Sequence, residues 1–123
     1  MESRTLEKLL RKRRSLVSLT VALDQATTNK ATARAHYDLA LFHDNNGREA
    51  QAIPHYRNAL ALGIDPSLEA KTFAWLASSL FKTGSHTEAA SSAHHALCLT
   101  QDPELKGFLV RLRRRIDRAA SKP

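Results

Sequence analysis

Histidines and one cysteine are the side chains of this chain with the most chemistry open to them. His36 and His43 stand seven apart, so a helix sets them on one face and could begin a zinc site. No Cys or His completes a tetrahedral set with them at ligand spacing, so no metal site is expected. His94 and His95 are adjacent and therefore leave a helix on different sides. Cys98 has no base placed to activate it, so a silent thiol is expected. Asp38 and Asp44 are six apart and lie on different faces, which gives no acid–base pair. A Gly-rich phosphate loop is missing, as is a defensible Ser-His-Asp order. No catalytic residue and no cofactor are expected, so the chain reads as a non-enzyme.

Charge leaves a second possibility. Residues 1–30 hold seven Lys/Arg against three Asp/Glu, and 104–123 hold seven against two, whereas 31–103 hold five against seven. The basic excess of this +7 chain therefore sits at the ends, in Arg11, Lys12, Arg13 and Arg14 and in Arg111, Arg113, Arg114 and Arg115. Phosphate contacts need only charge, so binding of nucleic acid or another acidic surface is the alternative function. The aromatic platforms expected for single strands do not accompany these runs. The plainer expectation is a solvated outer face on the terminal helices of a stack.

The elements that would carry these residues are helical. At 123 residues the chain has the size of one domain. Its 42% apolar and 25% charged residues suit a globular fold. A single cysteine precludes an intrachain disulfide and points to a reducing compartment, hence the cytoplasm. No apolar run approaches the roughly 20 residues of a spanning helix, and no membrane partner is expected. A targeting reading of SLVSLTVAL at 15–23 fails on its shortness, its Ser and Thr, and the preceding Glu2 and Glu7.

A 37-residue offset organises the whole. Gly47 returns as Gly84, Ala52 as Ala89, Asp65-Pro66 as Asp102-Pro103, and Ala59-Leu60 as Ala96-Leu97 and, upstream, as Ala22-Leu23. Such a period marks stacked helical units. The first helix, over 3–23, has Leu6, Leu9, Leu10, Val17 (or Leu16), Thr20 and Leu23 at three- and four-residue steps and is read as half a degenerate unit. Helices follow over 31–45, 48–62, 67–83, from a Ser85 cap to 100, and from Pro103 onward. Thr28 or Asn29, Ser85 with Glu88, and Asp102 are the expected N-caps, and Gly47 and Gly84 the turns. Pro54 removes one backbone bond inside its helix. The divisions are 1–26 (half repeat), 31–66, 67–103 and 104–119 (capping helix).

Within each unit the residues resemble a tetratricopeptide repeat. His36, Leu39, Ala40, His43, Ala52, Tyr56 and Ala59 occupy that motif's packing positions in the first unit. Phe73, Leu76, Ala77, Leu80, Ala89, Ala93 and Ala96 occupy them in the second. The longer linker and the run HDNNGREAQAIPHYRNAL resemble the bacterial group-five subfamily. The histidines and Ala93 depart from the family's usual aromatic or large residues. The resemblance implies an all-α right-handed stack of about six antiparallel helices. It also implies a protein-interaction scaffold whose concave groove takes a peptide or helical segment. The groove positions implied are Arg34, Tyr37, Leu41, Asp44 and Asn45, then Lys71, Ala74, Ser78, Phe81 and Lys82, with Val110 and Arg114 from the last helix. Tyr37, Leu41 and Phe81 would anchor an acidic partner segment that Arg34, Lys71 and Lys82 steer. Tyr37, Leu41 and Trp75 stand where chaperone-binding relatives carry a carboxylate clamp, which argues against that use. Ending on half a unit, the chain is also expected to offer Leu105, Leu109 and Leu112 to a second copy.

Overall fold

The computed structural model describes residues 2–122, leaving aside the side chains of 2–4 and 12–14. Six helices follow one another: α1 (Glu2–Gln25), α2 (Asn29–Asn45), α3 (Glu49–Leu62), α4 (Pro66–Lys82), α5 (His86–Leu99) and α6 (Pro103–Ser121). The described residues contain no strand. Each helix packs on the next, most closely within the pairs α2/α3 and α4/α5, and α4 also meets α6. The result is an all-α stack of hairpins.

Local chemistry sets the helix ends. The Thr28 hydroxyl accepts from the Ala31 amide at 3.0 Å, and Asp65 and Asp102 accept from the amides of Ser67 and Glu104 at 2.9 and 3.0 Å. Pro66 and Pro103 open α4 and α6, where a missing N–H costs nothing. The two turns inside the hairpins are the same object. Gly47 and Gly84 have φ of 71° and 90°, which glycine adopts without strain. The amide after each reaches back five residues, Arg48 to the His43 carbonyl and Ser85 to that of Leu80, at 2.9 and 2.8 Å.

That turn overrules the expected capping box. Ser85 occupies the N-cap but makes no side-chain cap bond. Its ψ of 69° matches the 61° of Arg48 in the first hairpin and departs from the extended 155° of Thr28. The tight hairpin dictates the backbone, and the hydroxyl follows it. Pro54 does not break α3; it and Ala50 are exposed, so the carbonyl left over can be solvated.

Alanines bring the helices together. Ala33, Ala40, Ala52, Ala59, Ala77, Ala89, Ala93 and Ala96 are wholly buried, and small residues at these positions permit close backbone approach. Leu39, Tyr56, Leu76 and Leu80 fill the remaining space in one continuous core. The packing positions His36, His43 and Phe73 are only half-buried.

The terminal helices depart from expectation in opposite ways. In α1, Leu6, Leu9, Leu10 and Val17 are 44–60% exposed; the half-buried residues are instead Leu16, Leu19 and Leu23, with Ala26 just beyond the helix. Of the two readings of the 16–17 step, Leu16 is the one that packs. α1 is 24 residues long and α2 only 17, so α2 cannot cover the N-terminal half. In α6, by contrast, Leu105, Leu109 and Leu112 are at most 6% exposed. They join the core with Ile116 and are not available to a second copy, because α6 folds back on α4 and α5 as the first helix of a further unit.

Candidate functional site

Residues of α2, α4 and α6 line a common cleft. Of about 450 Å³, it is walled by Tyr37, Leu41, Asp44 and Asn45 from α2, by Lys71, Trp75, Ser78 and Lys82 from α4, and by Phe108 from α6. Steps of three and four residues put each set on one stripe of its helix. Seven of these nine residues are among the expected groove positions.

Trp75 and Phe108 are the two that residue-by-residue reasoning left out. Their rings meet edge to face at 5.3 Å between centroids, a favourable arrangement for aromatics. Both are half-buried, so their free faces form an apolar floor. Only the placement of α6 against α4 joins them. A lone Trp amid small residues of α4 was the available signal.

Three expected groove residues do other work. Tyr37 is only 5% exposed. Its ring packs edge-on against Tyr56 at 6.4 Å, and burial raises its phenol pKa. It is a core residue that shows one edge to the cleft. Ala74 is fully buried in the core and Phe81 is half-buried. Phe81 does not line the cleft. Its ring lies beside His86 at 5.4 Å, and the Arg115 guanidinium lies over it at 5.1 Å.

Asp44 is a brace between helices. Its Oδ2 accepts from the Tyr56 hydroxyl at 2.7 Å and its Oδ1 from the Ser79 hydroxyl at 2.9 Å. One carboxylate thus ties α2 to α3 and to α4. Tyr56 is fully buried, and its pKa is driven upward by that burial and then by the bond to Asp44. It remains a donor.

The expected steering cations differ in how free they are. Arg34 pairs with Asp38 at 3.1 Å and lies 6.0 Å from the Tyr37 ring centre. Lys82 pairs with Glu49 at 3.8 Å. Lys71 is exposed and has no ion pair among the described residues. Arg34, Val110 and Arg114 lie outside the cleft. Val110 and Arg114 are exposed on α6.

Of the basic runs, Arg11 is exposed, as are Arg111, Arg114 and Arg115, while Arg113 is half-buried with its Nε lacking a hydrogen-bond partner. The side chains of Lys12, Arg13 and Arg14 lie outside the described residues.

His36 and His43 acquire a third partner, His55. The Nδ1 atoms of His36 and His55 are 2.9 Å apart. The His43 ring stacks on that of His55 at 5.8 Å, and Arg48 donates to His43 Nδ1 at 3.1 Å. All three imidazoles are held below the ordinary 6.5 by burial; Arg48 adds to this at His43, and the two neighbouring histidines at His55. The donated hydrogen bond makes His43 a neutral acceptor. Among the described residues no group of three His, Cys, Asp or Glu could hold a metal ion. No described helix is long and apolar enough to cross a membrane.

Comparison with known proteins bears on this geometry. A search of the curated proteins found no match. The family model of the group-five tetratricopeptide repeat, a repeat that generally mediates protein–protein contacts and typically serves as a non-catalytic scaffold, matches residues 33–113. That span takes in both complete hairpins and most of α6, and with the repeated glycine bends and the alanine-packed pairs it leads to one conclusion: the chain belongs to the tetratricopeptide repeat family.

Proposed function

We propose that the chain is a non-catalytic adaptor that holds a short segment of another protein, extended or helical, in the cleft between α2, α4 and α6. The observation that carries this reading is the pairing of an apolar floor with a free cation. Trp75, Phe108, Leu41 and the edge of Tyr37 line the cleft with Lys71 at its side. A hydrophobic anchor would seat on the floor, and an acidic flank would meet Lys71, with Lys82 and Arg34 behind it. Aromatic floors of this kind carry most of the energy in peptide recognition. The charges would chiefly raise the association rate and fade with salt. Tyr37 and Phe81 have other duties, so the anchoring roles first assigned to them pass to Trp75 and Phe108, with Leu41 retained.

Trp75 is the only tryptophan, which makes its fluorescence a direct reporter. Peptides selected from a random display library should shift that emission on titration. They should lose affinity about tenfold or more against Lys71→Glu, a variant of an exposed residue that leaves the helical circular dichroism unchanged. Selected peptides that bind without moving Trp75 emission, and equally well to Lys71→Glu, would overturn the reading.

A further inference from the structure

The outward side of α6 is a second surface, distinct from the cleft. Arg111, Arg114, Arg115 and Arg118 fall at steps of three, four and seven residues, which is one helix face. They lie opposite the buried Leu105, Leu109, Leu112 and Ile116. Together with Asp117 they border an open hollow. Ion pairs elsewhere occupy Lys30, Arg34, Arg57 and Lys82; none is made by these arginines among the described residues. Nor are they all loose: Arg115 is held over Phe81 at 5.1 Å. Its charge is pre-positioned with no counter-charge.

From this we infer that the outer face of α6 binds the phosphodiester backbone of duplex DNA, without regard to sequence. Charge dominates the face: exposed Val110 stands only at its edge and the Phe81 ring lies beneath Arg115, so the face lacks the apolar centre that a protein contact needs. A guanidinium matches a phosphate in a two-pronged geometry, and phosphate contacts are made by charge alone. Nothing on the face reads adenine, which calls for Asn or Gln, and a duplex of random sequence is therefore the probe. A single exposed helix side fits the major groove of B-form DNA, about 12 Å wide, and not the narrow one of duplex RNA. Asp117 stands within the face and opposes the phosphates.

The test uses the full chain and a fluorescent 30-base-pair duplex of random sequence, read by anisotropy. Four phosphate contacts give a slope of log K against log salt of about −3.6, so affinity should drop on the order of a hundredfold between 50 and 200 mM salt. Arg114→Gln with Arg118→Gln should reduce the slope by about two. Asp117→Asn should tighten binding, an effect that damage to the fold cannot mimic. Lys71→Glu, in the cleft, should leave DNA binding within about twofold, so the two surfaces can fail independently. Equal binding to duplex RNA, equal binding to polyglutamate, or indifference to the Arg114 and Arg118 substitutions would each overturn the proposal.

Discussion

The two complete hairpins, α2/α3 and α4/α5, share a backbone and differ in what fills it. At the 37-residue offset Tyr56 corresponds to Ala93, Asp44 to Phe81, His43 to Leu80, His36 to Phe73 and His55 to Ser92. The first hairpin is braced from within by the Tyr56–Asp44 bond and a cluster of three histidines, and Asp44 carries the brace on to Ser79 of the second. The second lacks the large ring at Ala93, and Leu105, Leu109, Leu112 and Ile116 of α6 bring bulk to the core on its side. The difference teaches that a repeat fixes where its helices run, while each copy remains free to choose a polar or an apolar means of holding them. A polar brace brings pH dependence; an apolar one brings dependence on the next helix.

Substitutions can break this contrast, beginning with the largest effect. Tyr56→Ala should cost about 3–5 kcal/mol, from the cavity left by a buried aromatic, and it also strips Asp44 of a donor. The midpoint of chemical denaturation would show it. Leu109→Ala should cost about 2–5 kcal/mol, with hydrogen exchange rising first in α4 and α5 and least in α2 and α3. Uniform exchange across both hairpins would mean that α6 does not selectively support the second. Tyr56→Phe keeps the ring and removes the hydroxyl, so about 1–3 kcal/mol is expected from the lost hydrogen bond to the Asp44 carboxylate, which keeps that from Ser79.

The histidines give the pH arm of the comparison. Their folded pKa values lie below the 6.5 of the unfolded chain, so as pH falls the unfolded state takes up protons first. The neutral cluster's contribution to stability is complete above 6.5 and declines below it toward the folded values. Between about pH 7.5 and 5.5 the melting temperature should therefore fall less for His36→Gln/His55→Gln than for the parent chain. Identical pH profiles would show that the cluster is inert.

The smallest effect sharpens the view of the turns. Thr28→Ala should lose about 1 kcal/mol with its cap bond. Ser85→Ala, with no side-chain bond to lose, should change stability by under about 0.5 kcal/mol.

Much of this was legible beforehand. The 37-residue offset, the Gly turns and the Asp-Pro starts are local signals, carried by backbone preferences that act within a few residues, and helix boundaries followed from them closely. Alanines at fixed places foretold the tight hairpins. What failed were assignments that needed to know which neighbour covers a face. Ala74 and Phe81 occupy groove positions by count, yet Ala74 is sealed in the core and Arg115 of α6 lies over Phe81. Leu6 and Leu9 look like core by spacing, yet α2 stops short of them.

The chain by itself determined the helices, their ends and their pairing, because capping, periodicity and small-residue packing act over short distances and recur in both units. Only the tertiary structure decided which side chains meet between helices: Trp75 with Phe108 and Asp44 with Ser79 across units, Asp44 with Tyr56 and His55 with His36 within the first hairpin. Those encounters join residues 12 to 35 positions apart, and they depend on how one helix is laid on another, a geometry that no local preference encodes.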